Sequence, residues 1–418
     1  MKQINIKGNK KLNGTIRISG SKNAAVALIP AAILSDEEVT LCNVPEISDV
    51  DALEKMLQFL GADIKRATES IVINSKNVVN KELPTDLSKT LRASYYFMGV
   101  LLAKYKKVEM CFPGGCGIGA RPIDIHLDGF KKLGATVLEE GDKYTITAEQ
   151  LVGCDINLKV ASVGATINLM FVASKAKGQT RIINAAREPE IVNVAELLNN
   201  MGAIVEGAGT DVITIKGVDY LHGGFIEVIP DRIEAGTYVI IGSLIGNPLN
   251  ISNVVPEHIK SLTDKLQEAG ANILLNGDTI VCKKSDNLSA INVETFYFPG
   301  FPTDLQQPMS VFLTQCNGVS TIKENIYENR FMHIPYLNRM GASIETKDRE
   351  AIIKGKTKLH GSDVVATDLR GGASMIIAGL IANGKTSITE IDHILRGYDK
   401  IIEKLKDVGA DISLEEFD

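Results

Sequence analysis

A chain of 418 residues that is 44% hydrophobic and 23% charged holds enough apolar material for more than one core. Its net charge of −6 and the absence of tryptophan exclude the basic face or aromatic platform that a nucleic-acid binder needs. No apolar run reaches the roughly 18 residues of a membrane span, and the N-terminus lacks the apolar region of a signal peptide.

Taken in order, the chain starts with strand-like residues from Ile4 to Ser19, which can pair with either half of the molecule. Gly20-Ser21-Lys22-Asn23 then opens a run that is apolar on all sides, Ala24–Leu34. A second run shows a different pattern: Val50, Leu53, Leu57 and Leu60 fall on one helical face and stop at Gly61. This pair of patterns returns about every 70 residues. The all-apolar runs begin near Lys22, Arg92, Ser162, Arg232, Asp304 and Arg370, and they predict buried helices. The amphipathic runs end at Gly61, Gly134, Gly202, Gly270, Gly341 and Gly409, each followed by Ala and a strand-like stretch. Glycine after a helix is the usual stop, because it alone takes positive φ without penalty.

Six such units exceed what one core usually holds, so an α/β fold with two domains of three units is expected, divided near Val228–Asp231. A solenoid is the alternative architecture for a repeat.

Chemistry collects where the buried helices start. Lys22 with Asn23, Arg92, Ser162-Val163-Gly164, Arg232, Asp304 and Arg370 all stand there. A charge at the mouth of a buried helix needs a partner or a ligand, and a helix N-terminus favours an anion. The loops before the amphipathic helices add Arg121, Arg187, Arg330 and Arg396. Arg187 and Arg330 have glutamates beside them and read equally well as ion-pair formers. Arg121 and Arg396 have no such neighbour and are better candidates for a phosphate or carboxylate. Asp304, the one acid among cations, is either a helix cap or a general base. His126 and His393 either cap or fill space.

Pro113 to Pro122 forms a Gly-rich loop around Cys116. It reads as an ordinary turn with a spare thiol, or as an exposed thiolate favoured by nearby positive charge. Pro122 suits the first position of the next helix, with Arg121 at its N-cap. Cys42, Cys111, Cys116, Cys154, Cys282 and Cys316 form no CxxC pair and none lies near a histidine at zinc spacing. No metal or cofactor is expected, and free thiols suit a reducing cytoplasm.

Ten of these stretches, in this order, resemble the UDP-N-acetylglucosamine 1-carboxyvinyltransferase family of enolpyruvyl transferases. They include Gly20-Ser21-Lys22-Asn23, Leu91-Arg92-Ala93-Ser94, Gly115-Cys116, Gly119-Ala120-Arg121-Pro122, Ser162-Val163-Gly164, Pro230-Asp231-Arg232, Thr303-Asp304, Asn329-Arg330-Phe331 and Arg396-Gly397-Tyr398. The likeness runs from Lys7 to Ile412. It implies two inside-out α/β barrel domains, each of three βαβαββ repeats with buried parallel helices: residues 22–229, and residues 1–21 with 230–418.

It also implies transfer of the enolpyruvyl group of phosphoenolpyruvate to the 3′-hydroxyl of UDP-N-acetylglucosamine, the first committed step of peptidoglycan synthesis, in the cytoplasm. By the same resemblance Lys22, Arg121 and Arg396 hold phosphoenolpyruvate. Cys116 acts as acid, nucleophile or release aid, and Asp304 takes the hydroxyl proton. Asn23, Arg92, Arg121, Pro122, Ile123, Asp124, Ile125, Ser162, Val163, Gly164, Asp304 and Ile326 line the nucleotide-sugar site. Arg232, Arg330, Asp368 and Arg370 belong to the anion cleft or its closure. Cys116, where some relatives carry Asp, implies alkylation by fosfomycin. Ser48 and Val160 replace lysines common in relatives, which puts some uridine or diphosphate contacts in doubt. The rival readings are a 5-enolpyruvylshikimate-3-phosphate synthase, and a paralogue that binds the UDP-sugar without catalysis.

Overall fold

The computed structural model describes residues 2–111 and 123–416. By contact these fall into two units, one of residues 20–111 and 123–229, the other of residues 2–19 and 230–416. Each has its own apolar core.

The first unit contains α1 (Lys22–Ala31), α2 (Ser48–Leu60), α3 (Tyr96–Tyr105), α4 (Asp124–Lys132), α5 (Val163–Ala173) and α6 (Pro189–Asn200). The second contains α7 (Arg232–Ile245), α8 (Lys260–Glu268), α9 (Gln306–Leu313), α10 (Ile334–Arg339), α11 (Leu369–Ile381) and α12 (Ile401–Asp407). The odd-numbered helices are the all-apolar runs, and nearly all their side chains are buried. A helix apolar all round has no face to give to water. They pack on one another: α3 on both α1 and α5, and α7, α9 and α11 mutually. The even-numbered helices carry the amphipathic faces. The glycines that follow them have φ between 92 and 107° at Gly61, Gly134, Gly202, Gly270, Gly341 and Gly409, as the sequence requires.

Three sheets complete each unit. Their repeating plan is clearest in Glu38–Cys42, which runs parallel to Gly224–Glu227 on one side and antiparallel to Ser70–Asn74 on the other. Ser70–Asn74 in turn forms a hairpin with Asp63–Ala67. The hairpin strands Ser70–Asn74 and Lys143–Thr147 alternate buried and half-buried residues, as strands with one covered face do. The N-terminal strands belong to the second unit. Leu12–Arg17 lies parallel to Gly246–Ser252, and Lys2–Lys7 sits between Lys385–Thr389 and Asp411–Glu416, antiparallel to both.

Two expectations about helix ends are corrected. The helix after the Gly-rich loop starts at Asp124 with Ile123 at its N-cap, later than Pro122 in first position implies. The last amphipathic run, which ends at Gly409, is not one unbroken helix: Asp392–Leu395 forms a single short helical turn, Lys400 takes φ 49°, and α12 begins at Ile401. The interruption spans Arg396-Gly397-Tyr398, which are held by other contacts. Among the described residues no helix is long and apolar enough to cross a membrane.

Candidate active site

In the first unit the candidate residues stand at helix starts. Ser21 caps α1, its hydroxyl accepting from Ala24 N at 3.3 Å. That places Lys22 in the first turn, where its Nζ lies 2.8 Å from Asp49 Oδ2, with both side chains largely buried. A buried cation of this kind needs such a partner. Asp49 comes from the first turn of α2, and nothing in the local sequence joins it to Lys22. Asn23 is half-buried beside it. Arg92 opens the tight turn Arg92–Tyr95 that leads into α3, and its guanidinium lies 6.0 Å from the centre of the Tyr95 ring. Ser162 caps α5 by accepting from Ala165 N at 3.3 Å, which sets Val163 and Gly164 in its first turn. Gly164 is required by its neighbour: a β-carbon there would stand 2.7 Å from the Tyr95 hydroxyl. Ile123, Asp124 and Ile125 form the start of α4. Cys116, Arg121 and Pro122 lie outside the described residues.

In the second unit the structure gathers a denser group. Asp304 is not a helix cap; it lies inside the turn Thr303–Leu305, which Pro302 caps, and Leu305 stands at the N-cap of α9. One of its carboxylate oxygens pairs with Arg330 Nη2, and the other accepts from Arg370 Nη2 at 3.0 Å. Both arginines are almost wholly buried. Arg330 therefore does not pair with its neighbour Glu328, which goes to Arg349 at 2.6 Å. Arg187, the other arginine with glutamates beside it, is exposed.

Burial opposes the charge on Arg370, but Asp304, Tyr398 and Asp231 more than offset it, so its pKa rises above the ordinary value. Its guanidinium stands 5.4 Å from the Tyr398 ring centre, and the Tyr398 hydroxyl is 3.0 Å from Thr237 Oγ1.

Asp368 caps α11, accepting from Arg370 N at 2.9 Å and Gly371 N at 3.1 Å. Its other oxygen accepts from Gln307 Nε2 at 3.0 Å. Burial alone would raise its pKa, but Arg330, Gln307 and the two backbone N–H groups hold it below the usual carboxylate value. His333, wholly buried, is pushed down to about 4 by desolvation, and its Nε2 lies 2.7 Å from Ser310 Oγ.

Glu324 shapes the loop that carries Ile326. It accepts from Ile326 N at 2.8 Å and from the hydroxyls of Thr295 and Thr303 at 2.9 Å each. Asp231 is buried and caps α7 through Ile233 N and Glu234 N. Arg232 follows it, half-buried, 5.7 Å from the Phe298 ring centre. Arg396 ends the turn Asp392–Leu395 and is half-buried.

The structure thus unites Asp304, Arg330, Arg370 and Asp368 in the second unit and adds Tyr398, Gln307 and Glu324 to them, and in the first unit it sets Asp49 beside Lys22; sequence reasoning passed over these four additions. Tyr398 alone had a signal, as the aromatic after Arg396-Gly397. Positive helix ends, buried guanidinium groups and one carboxylate held between them can bind anions and move a proton without a metal.

This arrangement has known counterparts. The family described as EPSP synthase (3-phosphoshikimate 1-carboxyvinyltransferase) matches residues 6–405. A UDP-N-acetylglucosamine 1-carboxyvinyltransferase 2 of Listeria monocytogenes is 49% identical over 408 residues, 98% of this chain and 96% of its own. The protein of that name from Geobacillus kaustophilus is 49% identical over 412 residues, 99% of this chain and 96% of its own. Among solved structures, the enolpyruvyl transferase NikO of Streptomyces tendae superposes with a TM-score of 0.90 at 24% identity, covering 100% of this chain and 99% of its own. An EPSP synthase of Acinetobacter baumannii superposes with a TM-score of 0.76 at 18% identity, covering 100% of both. At those identities the superpositions speak for the mixed α/β fold alone.

Proposed function

The chain belongs to the carboxyvinyl (enolpyruvyl) transferase family, and from that premise we propose how its residues carry out the reaction. The protein is a UDP-N-acetylglucosamine 1-carboxyvinyltransferase acting in peptidoglycan synthesis. The observation that carries the choice of acceptor is 49% identity, over nearly the whole chain, to relatives that bear that name.

The two units correspond, in this reading, to two inside-out barrel domains, residues 22–229 and residues 1–21 with 230–418. Three sheets and three buried helices in each unit support it. Phosphoenolpyruvate is held by Lys22, Arg121 and Arg396. Asn23, Arg92, residues 121–125, Ser162, Val163, Gly164, Asp304 and Ile326 receive the nucleotide-sugar. Arg232, Arg330 and Arg370 keep the site cationic, and Asp368 supports the cleft as the cap of α11.

The 3′-hydroxyl oxygen of the sugar bonds to C2 of the enol while C3 gains a proton, giving a tetrahedral ketal. The C2–O bond to phosphate then breaks and C3 loses a proton, which leaves the enolpyruvyl ether and inorganic phosphate. Asp304 takes the hydroxyl proton in the addition. Each of its oxygens accepts from one arginine, Arg330 or Arg370, and keeps a second lone pair that can receive the sugar hydroxyl's proton. Cys116 adds to C2, protonates C3 or assists release.

Phosphate release with phosphoenolpyruvate and UDP-N-acetylglucosamine, with shikimate 3-phosphate as control acceptor, tests the reading. Release only with the UDP-sugar is expected. Release only with shikimate 3-phosphate would overturn the acceptor. Asp304→Asn keeps the shape of the side chain but not its basicity, and it is expected to lower kcat on the order of 10²-fold or more.

A further inference from the structure

Glu324 stands where the strand Gly318–Lys323 ends, and it is 1% exposed. Its carboxylate accepts from two hydroxyls and two backbone N–H groups, none of them a cation. The two oxygens serve different segments. Oε1 accepts from Ile326 N at 2.8 Å, Tyr327 N at 3.2 Å and Thr295 Oγ1 at 2.9 Å. Oε2 accepts from Thr303 Oγ1 at 2.9 Å. Thr303 precedes Asp304 in the turn Thr303–Leu305. Oε1 alone closes the loop at Ile326, so Oε2 is free to reach the turn that carries the base. A buried charge is costly, and only a carboxylate accepts on both of its terminal atoms.

The turn has a second attachment to the same segment, from Arg330 to Asp304. That attachment changes during the reaction. A carboxyl that has taken a proton loses its negative charge, and with it much of its hold on a guanidinium. The bond from Thr303 to Glu324 involves no reacting atom, so it outlasts the proton transfer.

We propose that Glu324 is a positioning residue for the transfer: through Thr303 its carboxylate ties the Asp304 turn to the segment that carries Ile326, and so keeps the base in register with the sugar hydroxyl. This rests on the reading that Asp304 takes the hydroxyl proton and that Ile326 lines the sugar site.

Steady-state phosphate release by the full chain tests it, with kcat and the KM for UDP-N-acetylglucosamine read apart. Thr303→Val keeps the size of the side chain and removes the hydroxyl that reaches Oε2, while Oε1 still holds Ile326. It is expected to lower kcat about tenfold or more, with KM within about threefold of the native value. Thr303→Ser restores the hydroxyl and is expected to recover kcat to within about threefold. Glu324→Ala removes the tie from its other end, so adding Thr303→Val to it is expected to lower kcat no further. Native kcat in the Val variant would overturn the proposal, as would a Ser variant as slow as Val. A raised KM with native kcat, or a double variant whose loss multiplies the two single losses, would overturn it too. If Glu324→Ala does not fold, the Val and Ser variants decide.

Hydrogen exchange without substrate separates the tie from the reaction. Leu305 N, bonded to Pro302 O at 3.0 Å within the same turn, is expected to exchange faster in the Val variant and at the native rate in the Ser variant. Faster exchange in the Val variant, with no phosphate released by the native chain from either acceptor, would overturn the reaction and leave the tie standing. Unchanged exchange beside normal release would overturn the tie and leave the reaction standing.

Discussion

Glu234 lies wholly buried in α7. Lys404 Nζ donates to its Oε1 at 2.6 Å, and Ser19 N donates to its Oε2 at 2.9 Å. Desolvation dominates these contacts and raises its pKa to about 7, with Asp231 adding to the rise. Between the ordinary carboxyl value and about 7, the folded chain keeps a proton that the unfolded chain has lost. Stability therefore falls as pH rises through that window and stays reduced above it. Glu234→Gln is expected to flatten this slope by about 3 kcal/mol between pH 5 and 8. Urea unfolding of both proteins across that range is the check, and parallel curves would refute the assignment.

At this scale the sequence is least readable. Arg330 has Glu328 nearby in the chain, yet its partner is Asp304, brought to it by the fold. Asp49, the partner of Lys22, stands in a different helix. Partners far apart in sequence leave no local mark, whereas the charges they satisfy do, because they interrupt apolar runs.

Helices and strands were far more legible. The six stop glycines could be read because no other residue takes their φ cheaply. The six buried helices could be read because a run with no polar face admits one placement. Asn168 could not be read, because one amide inside such a run looks like noise until Gly99 and His126 appear at its ends. The closeness of α3 and α5 depends on that contact. A β-carbon at position 99 would stand 2.3 Å from Asn168 Oδ1 and 2.9 Å from its backbone oxygen. Gly99→Ala is therefore expected to destabilise the first unit by about 1–3 kcal/mol, since the backbone cannot yield as a side chain can. Equilibrium unfolding measures it, and an unchanged midpoint would contradict the close approach.

Over the whole molecule, the sequence's own patterns announced a repeat and a division but let residues 4–19 join either half, and only the family resemblance assigned them to the second. Strand pairing places them: Ile4 and Ile6 are wholly buried in the second unit's core, with Leu12, Ile16 and Ile18. A chain shortened to begin at residue 20 should leave Asp411–Glu416 without its paired strand and Gly246–Ser252 paired with Thr279–Lys283 alone. Hydrogen exchange is expected to show protection kept in α1, α3 and α5, lost in Asp411–Glu416 and reduced on the freed edge of Gly246–Ser252. Full protection in both would rule this out.

The same pairing sets a timetable during synthesis. The unit of residues 20–229 is continuous along the chain, so all of it exists before the other is half made. Lys2–Lys7 cannot find Lys385–Thr389 and Asp411–Glu416 until the ribosome has passed those later strands. At roughly 5–20 residues per second, that strand waits on the order of 20–80 seconds. For that interval Ile4 and Ile6 belong to an unpaired strand whose apolar side chains have no core to enter.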